Sequence, residues 1–126
     1  MRLALSAFLL DAAFVLAFVV IGRVNHAEGL TPTGVALTLW PFAAALVAGW
    51  LVILPWRPWR KPKALLTNGW IVWVITVCGG SQLRDAAGEG SPFSFFLVTA
   101  VFLGATLLGW RGLALLAGRR RRAAAE

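Results

Sequence analysis

Asp11 is the residue with the greatest chemical consequence in this chain. It is the only charged residue in the nineteen-residue stretch Leu3 to Ile21. A carboxylate near the centre of a membrane-spanning helix costs about 2.5–3.5 kcal/mol on insertion scales, so it must find a partner or carry a proton. Two uses fit: a proton- or cation-coupled site, or a hydrogen-bond hub that holds helices together. The stretch ends in a polar cluster, Gly22-Arg23-Val24-Asn25-His26, and a second pair, Arg84-Asp85, follows the third apolar block. Arg23 and Arg84 could frame a pocket for an anion such as a carboxylate or phosphate. The plainer reading is that both arginines answer the carbonyls and dipole at helix C-termini, and Arg84 and Asp85 could also pair locally. Asp11, Arg23, Asn25, His26, Arg84 and Asp85 are therefore the candidate ligand-binding or coupling residues.

Other chemistries find little footing. His26 is the single histidine, and Glu28, Asp85 and Glu89 are scattered around it without ligand spacing, so no metal site is expected. A polar-contact or pH-sensing role suits that imidazole better. Cys78 is the only cysteine, which excludes an internal disulfide and reads as a small buried apolar residue. No nucleophile–base pair, glycine-rich phosphate loop or paired-carboxylate motif occurs, so neither enzyme activity nor a cofactor is expected.

The elements that must position these residues are apolar blocks. The chain has 126 residues, 60% of them hydrophobic and only 13% charged, with a mean hydropathy of +0.79. Soluble domains carry about 25% charge. The blocks predict an all-α integral membrane four-helix bundle, with spans over about 3–21, 34–54, 64–83 and 92–117 and a basic tail over 119–126. Nineteen residues at ~1.5 Å each make roughly 28 Å of helix, enough to cross a bilayer. Pro41 predicts a kink in the second span, and Ser91-Pro92 predicts a helix start with Ser91 as the cap.

Charge sits at the ends of the blocks. Residues 55–64 hold Arg57, Arg60, Lys61 and Lys63, and the chain from 111 holds Arg111 and Arg119 to Arg122. The connections 23–33 and 84–91 hold one cation each, Arg23 and Arg84. The positive-inside rule then places both termini and the second connection in the cytoplasm of a cell with this protein in its inner membrane. The net charge of +7 follows that topology, so anionic lipid headgroups are the expected partner and nucleic acid is not. Trp56, Arg57, Trp59, Arg60, Lys61, Trp110, Arg111, Arg119 and Arg120 read as lipid or interface anchors, and Trp50 falls at the same level. Trp70 and Trp73, three apart, share a helix face.

A repeat is visible as well. Arg23, Gly29, Pro32 and Gly49-Trp50 recur as Arg84, Gly90, Pro92 and Gly109-Trp110, 60 or 61 residues on. The expectation is two helical hairpins of the same orientation, related by an axis along the membrane normal. Asp11 has no acidic counterpart.

Asp11, the run Phe18-Val19-Val20-Ile21-Gly22-Arg23-Val24-Asn25-His26, Trp40-Pro41-Phe42, Gly49-Trp50, Arg84, Pro92-Phe93 and Gly109-Trp110-Arg111 together resemble the DUF3054 family. These are small bacterial and archaeal membrane proteins, common in actinobacteria. The resemblance covers nearly the whole chain and implies a four-helix membrane protein; it supplies no catalytic residues. The likeness to small multidrug exporters, which also have four helices and an acidic first helix, is weaker because the charge bias opposes dual topology. Three functional readings remain open. The one placed first is a small transporter or carrier with Asp11 as coupling carboxylate and Arg23, His26 and Arg84 at its outer mouth, acting as a homo-oligomer. Another is a non-catalytic subunit or scaffold for lipid or a partner membrane protein. The weakest is a lipid-active enzyme.

Overall fold

Each apolar block becomes a helix because in a bilayer a chain can satisfy its backbone only internally. The computed structural model describes residues 2–56 and 62–125. It contains α1 (Arg2–Asn25), α2 (Pro32–Ile53), a single 3-10 turn (Leu54–Trp56), α3 (Pro62–Ala86), α4 (Phe93–Leu103), a π turn (Gly104–Leu108) and α5 (Gly109–Ala125). The last three run on as one rod. Four helical stretches are long and apolar enough to cross a membrane, Phe93–Ala125 being the fourth. The anchors expected at Arg57, Trp59, Arg60 and Lys61 lie outside the described residues, as does the Trp56 side chain.

Local chemistry sets the ends. Thr31 accepts a hydrogen bond from the Gly34 N–H at 3.1 Å and Pro32 occupies the first turn, so α2 starts two residues earlier than hydropathy predicts. Pro41 lies inside a continuous helix. The fourth helix starts at Phe93 with Pro92 as its cap residue. The Ser91 hydroxyl, expected to cap it, donates instead to the Ser81 carbonyl at 2.9 Å and ties the loop to α3. At the other end α5 continues through Arg119–Arg122 to Ala125, past the expected stop at 117. Arginine and alanine are among the best helix formers.

The turns that follow α1 and α3, which the sequence repeat pairs, share one local geometry. After α1, the Glu28 N–H donates to the Arg23 carbonyl at 2.9 Å and the Ala27 N–H to the Val24 carbonyl at 3.2 Å. After α3, the Glu89 N–H donates to the Arg84 carbonyl at 3.1 Å and the Gly88 N–H to the Asp85 carbonyl at 3.0 Å. Both are nested helix-ending pairs with a left-handed residue, Ala27 at φ 54° and Gly88 at φ 85°. Each preceding arginine then closes its own loop, Arg23 Nε to the Gly29 carbonyl and Arg84 Nε to the Gly90 carbonyl, both at 2.8 Å.

The helices pack as a ring in which α1 touches α2 and α4, while α3 touches α2 and α4. The α2–α3 pairing is the closest of these, because Gly49, Gly79 and Gly80 present no side chain. A Cβ on Gly49 would lie 3.3 Å from the Val72 backbone, and one on Gly80 would strike the Phe42 ring. Small residues allow this approach where lipid supplies no hydrophobic drive between helices. Inside the ring, Phe18 packs edge-on against Phe42 at 5.5 Å and also meets Phe95 and Phe102. Trp70 and Trp73 do share a face, with centroids 5.2 Å apart.

Candidate functional site

The centre of the bundle is built on Asp11, which is completely buried. Its Oδ1 accepts from Trp110 Nε1 at 2.7 Å and from Arg111 Nη1 at 2.8 Å. Its Oδ2 accepts from Trp50 Nε1 at 2.9 Å and from Arg111 Nη2 at 2.7 Å. Two parallel guanidinium–carboxylate bonds form the strongest and most directional pair available to these side chains. The two indoles take the remaining lone pairs. The carboxylate thus gains four charge-assisted donors, which offsets the cost of taking it out of solvent.

Four elements converge to make this hub. Asp11 comes from α1, Trp50 from α2, and Trp110 with Arg111 from α5. The fourth contribution is an absence of side chain on α3: a Cβ at Gly69 would lie 2.5 Å from Arg111 Cδ and 3.0 Å from its Nε. The π turn just before α5 also matters. Its wider winding rotates α5 away from the phase that a regular α-helix would give it, and so shifts which residues face the bundle. Trp73 Nε1 donates to the Ala100 carbonyl at 3.0 Å beside this turn, and the Trp73 ring lies over Gly104. Arg111 Nη1 holds the Leu107 carbonyl at 2.9 Å, and the guanidinium lies 4.6 Å above the Trp110 ring. Arg111 Nε is buried without a hydrogen-bond partner.

The reading of Arg111 as an interface anchor is therefore corrected. Arg111 is 1% exposed, and Trp110 spends its N–H on Asp11. Trp50, assigned to the same interface level, is buried. Their partnership was missed because each stands near the end of an apolar block. A count of heights would have found it. At ~1.5 Å per residue, Asp11 lies roughly 13 Å along α1 from Arg2, and Arg111 roughly 12 Å along α5 from Arg119. Both distances run from the basic end, so the two charges share a level.

The candidates at the ends of α1 and α3 are not assembled into one pocket among the described residues. Arg23 is spent on the α1–α2 connection: Nη1 donates to Thr38 Oγ1 at 2.8 Å, Nη2 to the Glu28 carbonyl at 2.9 Å, and the Glu28 carboxylate lies 3.5 Å away. Arg84 holds the Gly90 carbonyl, and its guanidinium lies 4.6 Å from the Phe95 ring centre. Both arginines close loops by holding carbonyls beyond the helix ends; the helices that carry them, α1 and α3, are not in contact. Asn25 and His26 are exposed at the end of α1. Among the described residues no group of three His, Cys, Asp or Glu side chains is arranged to hold a metal ion. Asp85 is exposed, and the ion pairs among the described residues are Arg23–Glu28 and Arg111–Asp11. Cys78 is exposed too, where burial was expected. Arg119 and Arg120 are exposed on α5.

A four-helix membrane bundle closed at its centre by a buried carboxylate–guanidinium pair is the class of protein that these features define. Residues 8–114 match the family described as protein of unknown function DUF3054, and the chain belongs to that family. No curated protein and no solved structure matches it.

Proposed function

We propose that the chain is a non-catalytic inner-membrane subunit whose bundle is locked by the Asp11–Arg111 pair and whose basic end holds anionic lipid headgroups or a partner membrane protein. The observation that carries this reading is the state of Asp11. A coupling carboxylate must release and regain a proton or ion during each cycle. Asp11 instead has both oxygens filled, by Arg111, Trp50 and Trp110. Asp11 is completely buried, and the pair is the kind of contact whose loss unfolds a bundle.

The orientation belongs to the same proposal. Residues 55–64 and 119–122 hold four Lys or Arg residues each, against one in each connection at the opposite end, Arg111 being spent on Asp11 inside the bundle. This bias supports cytoplasmic termini, and the exposed Arg119–Arg122 run on α5 supports attraction to an anionic leaflet. Single cysteines introduced as Ala125→Cys and Thr31→Cys in a Cys78→Ala background test it in intact cells. An impermeant maleimide should label the variant at position 31 from outside, and the one at 125 only after the membrane is opened.

The functional test is flux against retention. Reconstituted vesicles should show no proton or cation flux above protein-free vesicles, while native mass spectrometry shows bound phosphatidylglycerol. That retention should drop when Arg119–Arg122 are changed to Gln. Saturable uptake that disappears in Asp11→Asn would overturn the proposal in favour of a carrier.

A further inference from the structure

We propose that a cleft at the outer end of the bundle, between α3 and the start of α4, binds an organic ammonium group. This goes beyond the lipid or partner contact at the basic end and shares no residue with it. The cleft has a volume of about 340 Å³; Cys78, Ser81, Gln82 and Asp85 line it from α3, and Phe93 and Phe96 from α4. Pockets of roughly 300 Å³ and above take small ligands.

The wall chemistry selects a cation. Asp85 brings a carboxylate that neither ion pair among the described residues uses. Its neighbour Arg84, the obvious candidate to neutralise it, is turned to the Gly90 carbonyl and the Phe95 ring. Ser81 is 6% exposed, and its Oγ is buried with no hydrogen-bond partner. A buried hydroxyl left alone is costly, and a ligand N–H that reached it would relieve that cost. Phe93 and Phe96 line the cleft with aromatic rings, whose faces attract a cation, most of all an alkylammonium that is only weakly hydrated. The Gln82 amide oxygen supplies one more acceptor.

The surrounding charge agrees. Arg23 and Arg84 stand against Glu28, Asp85 and Glu89 in the two outer connections, a balance of 2 − 3 = −1 with His26 neutral. An anion, the ligand that the two arginines suggested, would meet an unpaired carboxylate there. The ammonium could arrive free, as a small amine, or on a zwitterionic lipid headgroup.

Cys78 lines this cleft and is the chain's only thiol, so it reports on the site without engineering. In phosphatidylglycerol nanodiscs, its conversion to a mixed disulfide, with methanesulfinate leaving, is followed with a methanethiosulfonate bearing an ethylammonium group and with one bearing an ethylsulfonate. Each rate is taken relative to the same reagent's rate with 2-mercaptoethanol. The cationic reagent should be favoured roughly tenfold, the ratio expected for about 1.4 kcal/mol of preference. The ratio should fall towards one in Asp85→Asn, an exposed substitution that leaves the fold intact, and should shrink in Ser81→Ala. Equal rates, an unchanged ratio in Asp85→Asn, or a thiol inert to both reagents overturns the proposal.

Protection then separates the sources. Slowing by added ethanolamine alone assigns a free amine. Slowing on inclusion of phosphatidylethanolamine, absent in Asp85→Asn, assigns the lipid headgroup. Protection by neither overturns the proposal. These readouts are independent of flux and of the Arg119–Arg122 contact, so this inference and the function proposed above can fail separately.

Discussion

Asp11 and Arg111, 100 positions apart in the chain, meet through two parallel hydrogen bonds of 2.8 and 2.7 Å inside the bundle. The pair joins the first helix to the last and closes the ring of helices. Breaking one side leaves the other charge buried without its counterion. Asp11→Asn and Arg111→Met should each lower stability by about 3–5 kcal/mol. The double variant should lose less than the sum of the two, because it leaves no uncompensated charge. Unfolding in nanodiscs, arranged as a double-mutant cycle, measures this. Additive losses would mean that the pair does not act as a unit.

Trp50 and Trp110 hold the carboxylate from two helices, and their N–H groups are what matters. Trp50→Phe and Trp110→Phe keep an aromatic ring but remove a donor to a charged acceptor. Each should cost about 1.5–3 kcal/mol. Without the pair those donors have no charged acceptor, so in an Asp11→Asn background the same substitutions should cost clearly less.

Gly69 makes room for the arginine. Gly69→Val should push Arg111 off Asp11 and destabilise about as strongly as Arg111→Met. Gly112, where an added Cβ meets nothing within 4 Å, provides the control. Gly112→Ala should be neutral or slightly stabilising, since alanine favours helix over glycine by about 1 kcal/mol. Equal responses at the two positions would show that helix propensity, not room for Arg111, decides both.

The matched turns after α1 and α3 predict opposite signs for opposite exchanges. Ala27 takes a left-handed conformation that suits glycine, with φ 54°, and Gly88 takes its counterpart with φ 85°. Gly88→Ala should destabilise by about 1 kcal/mol, whereas Ala27→Gly should be neutral to stabilising by a few tenths, the released strain being partly offset by chain entropy. Thermal unfolding of the two variants in one lipid composition checks the sign of each.

Much of this architecture is legible without coordinates. Long apolar blocks broken by Pro32, by the Pro55–Pro62 cluster and by the glycines around position 90 require four spanning helices, because hydrocarbon tolerates no unsatisfied backbone. The recurrence of Arg23 and Gly29 as Arg84 and Gly90 likewise foretells two similar turns, since a helix end and the loop that it feeds are local structures. The demand that Asp11 find a partner is also a property of the sequence, set by the cost of a lone charge. Which partner it finds is not. Hydropathy places Arg111 and Trp110 at a block's end and therefore at an interface; a one-dimensional profile carries no record of which helix face a residue occupies. That face is decided by the π turn at Gly104–Leu108, by the opening at Gly69 and by the order of the helices around the ring. The unpaired state of Asp85 depends in the same way on tertiary structure, through the loop carbonyl and the phenylalanine ring that hold Arg84 away from it.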